Sequence, residues 1–150
     1  MNTLSLLANH SPEAIWCVPM GLGALILAEL NKALRSNDPS STSNYDPTKL
    51  VPKVVEALWW DEIELDEIDS NSKSRTPGIK ICFTPTQHWS GRNLVWDMFK
   101  SLWGSWAIIG PHHRAWFAGD TGYCPAFKQI GRRYGPFDMA AIPIGAYKPR

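Results

Sequence analysis

The sequence predicts an α/β fold, and three alternations of element type carry that expectation. The run Ile15-Trp16-Cys17-Val18-Pro19 is a short apolar strand ended by proline; past Gly21 and Gly23, Leu27, Leu30 and Leu34 recur at helical spacing over 22–34. The run Ile79-Lys80-Ile81-Cys82-Phe83 is a strand that stops at Thr84-Pro85, because proline has no N–H to give to a sheet ladder. Residues 125–134 then read as a helix with proline first, Arg132 and Arg133 in the last turn and Gly135 just past it. The nearly unbroken apolar run 138–144 follows as a strand expected to be buried on both faces.

The remaining elements fall between these. Residues 36–52, rich in Ser, Asn, Asp and Pro with no apolar period, read as a surface loop insertion within a single domain of 1–150, since neither flank is large enough to stand alone. Val54, Val55 and Leu58 suggest a short helix over 53–60. The stretch 61–69 holds six acids, and the alternation Ile63-Glu64-Leu65-Asp66 marks a strand with a solvated outer face. Val95, Met98, Phe99 and Leu102 lie on one face of a short amphipathic helical turn. Residues 105–109 and 114–118 are two apolar strands, and Gly110-Pro111-His112-His113 between them has the length and turn chemistry of a hairpin.

Composition narrows the function. With 15 Lys+Arg against 14 Asp+Glu, the formal net charge of +1 gives no electrostatic claim on nucleic acid or on an anionic membrane. At 44% hydrophobic and 19% charged the chain is globular, and 8 tryptophans in 150 residues mean a core or cleft built from large aromatics. Cys17, Cys82 and Cys124 cannot all pair and none stands in a C-x-x-C spacing, which argues for a reducing compartment. The longest apolar stretch, 14–28, is interrupted by Pro19, Gly21 and Gly23 and falls short of the roughly 20 residues a spanning helix needs. No Lys or Arg precedes Lys32, so a secretory n-region is not evident, and a soluble cytoplasmic protein is expected.

Two segments place a metal-ligand residue type just beyond a strand: Thr84-Pro85-Thr86-Gln87-His88-Trp89 and Ala118-Gly119-Asp120-Thr121-Gly122. A strand end is a rigid mount, and glycines on either side of Asp120 let the backbone approach something closely. An imidazole offers one nitrogen ligand, and a carboxylate has two oxygens with which to bridge two ions. The structural alternatives are a packed histidine at 88 and a turn or helix cap at 120. Of the other candidates, His112 and His113 sit in a turn and should be exposed, Cys82 points inward as a small hydrophobe, and Cys124 stands near a helix N-terminus. Trp89, Trp96, Phe99, Trp103 and Trp106 suit a lipid cleft, a bilayer interface or the core.

The blocks Phe83–Trp89 (FTPTQHW), Leu102–Trp106 (LWGSW), Trp116–Phe127 (WFAGDTGYCPAF) and Ile130–Arg150 (IGRRYGPFDMAAIPIGAYKPR), in this order, resemble the N-acylphosphatidylethanolamine-hydrolysing phospholipase D family of the metallo-β-lactamase fold. The resemblance is dense from Ile79 onward and looser around 15–21 and 59–65. It implies a partial αββα sandwich and a zinc phosphodiesterase that releases N-acylethanolamine and phosphatidic acid from a phospholipid. It further implies two zinc ions, with His88 a ligand to the first and Asp120 a catalytic bridge between both. Trp89, Trp96 and Phe99 would then face the substrate, and contact with a membrane would be peripheral. Such a metal pair acidifies a water and holds phosphate oxygens.

The chain departs from that family pattern in its ligand set. The motif H-x-H-x-D-H is absent, the only histidine upstream of residue 88 is His10, and of the family's ligands only His88 and Asp120 are present. The expectation is therefore an internal segment of a longer enzyme, catalytically inactive alone. Two other readings keep the scaffold: a hydrolase of another ester or lactone, and a degenerate, metal-free binding module.

Overall fold

A computed structural model describes residues 3–11, 14–35, 53–65, 78–91 and 99–145. The loop expected over 36–52, most of the helical turn expected over 95–102, and Trp96 lie outside these residues. The α/β class is as expected from the sequence: three helices and seven strands are described, grouped in two compact units, Met1–Glu56 and Ala57–Arg150.

In the first unit, α1 (Thr3–His10) packs on α2 (Gly23–Arg35), and β1 (Ile15–Pro19) pairs with β2 (Lys53–Ala57). Leu30 on α2 is fully buried. The first turn of α2 has no acidic residue, and a carboxylate from outside the helix meets its start. Glu56 Oε1 accepts from Gly21 N at 2.8 Å and from Gly23 N at 2.7 Å, a carboxylate set against the positive end of the helix. A Cβ on Gly23 would lie 2.8 Å from Glu56 Cδ, so any larger residue would make the Glu56 side chain shift. Residues 53–57 are a strand and not the helix expected from the spacing of Val54, Val55 and Leu58. Two adjacent β-branched residues favour the extended chain, and pairing with β1 decides it.

The second unit holds a five-stranded sheet in the order β3 (Glu62–Leu65), β4 (Ile79–Thr84), β5 (Ser105–Ile109), β6 (Arg114–Phe117), β7 (Met139–Ala141). All neighbours are antiparallel except β6 and β7, which run parallel and are connected through α3 (Ala126–Tyr134). The hairpin turn lies where the sequence placed it, with Ile109 opposite Arg114. The rungs Cys82↔Ala107 and Ala107↔Trp116 put these side chains on one face, where they form a buried cluster with Ala118 and with Ile130 and Tyr134 of α3. Polar groups on this face are paired: Thr84 Oγ1 lies 2.5 Å from Ser105 Oγ, which accepts from Trp116 Nε1 at 3.1 Å.

The solvated face expected of the acidic strand is partly engaged. Glu62 accepts from Lys80 Nζ (2.8 Å), Arg133 Nη2 (3.0 Å) and Tyr134 OH (3.1 Å), fastening β3 and β4 to the end of α3. Arg133, whose guanidinium also lies over the Trp60 ring at 5.6 Å, therefore does more than complement the helix dipole. At the same helix end, Arg114 Nη1 donates to Tyr134 O (3.0 Å) and Gly135 O (2.9 Å). The apolar run after α3 departs from expectation. Only 139–141 form a strand, all three residues are exposed, and Met139 is 63% accessible. Among the described residues β7 pairs on one side only, at the sheet edge, so its hydrophobicity does not translate into burial.

Candidate functional site

Strands β4 and β6 both run antiparallel to β5, and β7 runs parallel to β6, so their C-terminal ends emerge at the same end of the sheet. This topology brings together the two segments that the sequence singled out. Past Pro85 the chain continues to Gln87, which bridges to Gly122 in the loop after β6. Gly122 N donates to Gln87 O at 3.0 Å, and Gln87 N donates to Thr121 Oγ1 at 3.1 Å. His88 follows one end of this clasp and Asp120 immediately precedes Thr121 at the other. Gly119 has a φ of +64°, the left-handed turn that swings the chain from β6 to Asp120.

His88 is exposed, with its ring stacked on Trp89 at 5.8 Å and 7° between planes. Its Nδ1 lies 2.9 Å from Trp89 O. A carbonyl can only accept, so this bond places a proton on Nδ1; in the neutral ring the Nε2 lone pair is then free for a ligand. A backbone carbonyl thus holds the ring nitrogen that a metal would leave free. The Thr86 hydroxyl is buried with no hydrogen-bond partner among the described residues. Asp120 is exposed and lines an open depression of about 510 Å³ with Phe117, Gly119, Ala141, Ile142 and Pro143.

An imidazole nitrogen and a carboxylate are suitable zinc donors, but a zinc site takes four ligands, or three with an open position. Among the described residues no group of three His, Cys, Asp or Glu is placed to hold a metal ion. A complete zinc site does not fit these residues alone. The other candidates are accounted for structurally. Cys82 is fully buried and its thiol is pushed up to about 11, chiefly by burial, and Cys124 is buried as well. His112 and His113 are exposed, as expected of the turn. Trp89 and Phe99 are exposed and Trp116 is core.

Sequence reasoning missed two features. One is the Thr121 clasp, for which the only local signal was a hydroxyl residue beside Asp120. The other is Trp59, whose Nε1 donates to Trp103 O at 2.6 Å across 44 residues.

Comparison with known proteins extends this picture. The chain matches the family described as beta-lactamase superfamily domain over residues 6–150. It is similar to the N-acyl-phosphatidylethanolamine-hydrolyzing phospholipase D 1 of Caenorhabditis elegans, at 39% identity over 96% of this chain and 34% of the relative. It is also similar to the mitochondrial N-acyl-phosphatidylethanolamine-hydrolyzing phospholipase D of Saccharomyces cerevisiae, at 34% identity over 74% of this chain and 23% of the relative. An uncharacterized protein of Mycobacterium tuberculosis is 47% identical over 54% of this chain and 21% of its own length. The chain thus spans between a fifth and about a third of these relatives. By a match that takes in both units and both candidate ligands, the chain belongs to the beta-lactamase superfamily.

Proposed function

We propose that the chain is one part of a zinc-dependent phosphodiesterase that hydrolyses N-acylated phosphatidylethanolamine to N-acylethanolamine and phosphatidic acid. On this reading residues 1–150 belong to a single, incomplete metallo-β-lactamase-like domain. His88 contributes a nitrogen ligand, Asp120 a carboxylate shared between metals and central to catalysis, and Trp89 and Phe99 face the lipid; Trp96 is assigned with them from the sequence.

The observation that carries the reading is the clasp between Gln87 and Thr121-Gly122, which ties the two donor-bearing loops together at one end of the sheet. The names of the C. elegans and yeast relatives supply the substrate class. Among the described residues no helix is long and apolar enough to cross a membrane, which suits a cytoplasmic protein that meets its lipid peripherally. Because the described donors do not make a site, the chain alone is inactive.

A second reading rests on the same shortage of donors: a metal-free binding module on the hydrolase scaffold. One experiment separates the two. In a chimera, this chain replaces the aligned third of the C. elegans relative. The hydrolase reading expects a chimera that retains zinc and cleaves N-acyl-phosphatidylethanolamine, with His88→Ala and Asp120→Asn each lowering turnover more than about 100-fold, beyond the loss typical of a ligand's supporting contacts. A folded chimera without zinc would favour the binding module. One that cleaves only other esters or lactones would move the substrate.

A further inference from the structure

Around the segment that carries His88, aromatic side chains form a ridge that the sheet and the candidate ligands leave unexplained. The Trp59 ring meets Trp103 edge-on at 5.6 Å, and the Phe99 ring lies 5.8 Å from Trp103. Trp59 Nε1 donates to Trp103 O, and Trp103 Nε1 donates to Thr86 O at 3.2 Å. Both indole donors end on backbone carbonyls, so what these rings offer outward is carbon. Trp89 adjoins them along the chain: the carbonyl of the next residue, Ser90, accepts the Phe99 N–H at 3.0 Å, and the Ser90 hydroxyl donates to Ser101 O. Trp59 is 36% exposed, Trp89 42% and Phe99 60%. Phe99 has a φ of +58°, a conformation rare for a bulky residue, and there it holds its ring out in solvent. Glycine would suit that backbone better, so filling the loop does not explain a phenylalanine.

We propose that the Trp59–Trp103–Phe99 ridge, with Trp89 beside it, is the face that lies against a phospholipid bilayer. The choice of occupant rests on the hydrolase reading, since a substrate that resides in a bilayer has to be met at its surface. Amphipathic aromatics favour the headgroup level, where carbon enters the acyl boundary. Lys100, next to Phe99, is exposed, but the whole chain carries only +1. A zwitterionic surface held by aromatic insertion fits that charge, and an anionic one held by Coulomb attraction does not.

The test is co-sedimentation of the 150-residue chain with phosphatidylcholine vesicles in low salt and in about 0.5 M salt, where Coulomb attraction is screened within a few ångströms. The chain should partition alike in both. Phe99→Gly accepts the left-handed backbone without strain, so its melting temperature should hold or rise while partition falls about fivefold. Trp89→Ser should lower partition with melting unchanged. Undiminished binding by both variants would overturn the proposal, as would binding only to anionic vesicles that disappears in salt. So would a ridge that closes a dimer of this chain in place of vesicle binding. No N-acylated lipid is present, so docking and hydrolysis can fail separately: docking by a chain whose chimera lacks activity would sink the hydrolase alone, and an active chimera without docking would sink the ridge alone.

Discussion

Two regions of one sheet are built from equally apolar residues and end in opposite states. Under α3, Cys82, Ala107 and Trp116 are buried, and the Thr84–Ser105–Trp116 chain satisfies the polar atoms among them. At the far edge, Met139, Ala140 and Ala141 are as hydrophobic but exposed, and Ile142 and Ile144 after them are exposed too. The difference is cover. β5 and β6 have a strand on each side and a helix across one face, whereas among the described residues β7 has a strand on one side only. Asp120 lies beside the less covered edge, in the depression that the residues after β7 help to line. Apolar sequence thus decides that a segment pairs in the sheet, and its neighbours decide whether it is buried.

The sharpest way to break this contrast is to remove a side chain from the covered face. Trp116 packs edge-on against Phe127 at 5.1 Å and donates to Ser105, so Trp116→Ala should cost about 3–5 kcal/mol in chemical denaturation. A loss below about 1 kcal/mol would mean that α3 does not seal this face. A smaller effect lies at the rim, where Glu62 accepts from Lys80, Arg133 and Tyr134. The Lys80 hydrogen bond leads the causes that hold its carboxyl below the usual carboxylate range. A depressed folded value contributes stability above the unfolded value of about 4.3, lost as pH falls through the folded one. The pair is partly solvated, so that contribution is at most about 1 kcal/mol. Glu62→Gln should flatten the acid limb of the stability profile below about pH 5, and an unchanged limb would remove Glu62 from the account. Smallest are the exposed candidate ligands: His88→Ala and Asp120→Asn should each shift stability by less than about 0.5 kcal/mol, whereas a larger loss would make them structural.

Much of the fold was legible because its signals are local. The β4 run before Thr84-Pro85, the Gly110-Pro111 turn between β5 and β6, and the Pro125 and Gly135 that bracket α3 each act within a few residues of themselves. What failed was decided at long range. Residues 53–57 carried a helical spacing that β1 overrode, and the burial of 138–144 depended on a neighbour that no local pattern specifies. At the site, the two donor types and their strand-end mounts could be read directly, since ligand chemistry is a matter of residue type. The clasp that joins them links Gln87 to Thr121, 34 residues apart, and the Trp59–Trp103 contact spans 44, so only the folded topology exposes either.

On the proposed reading His88 and Asp120 are contributions to a metal site that the described residues do not complete. Metal content after gel filtration of the purified 150-residue chain in excess zinc, measured alongside turnover of N-acyl-phosphatidylethanolamine, tests it most directly. The account predicts no stoichiometric zinc and no turnover. Zinc retained at one or more ions per chain, with turnover abolished by Asp120→Asn, would contradict it.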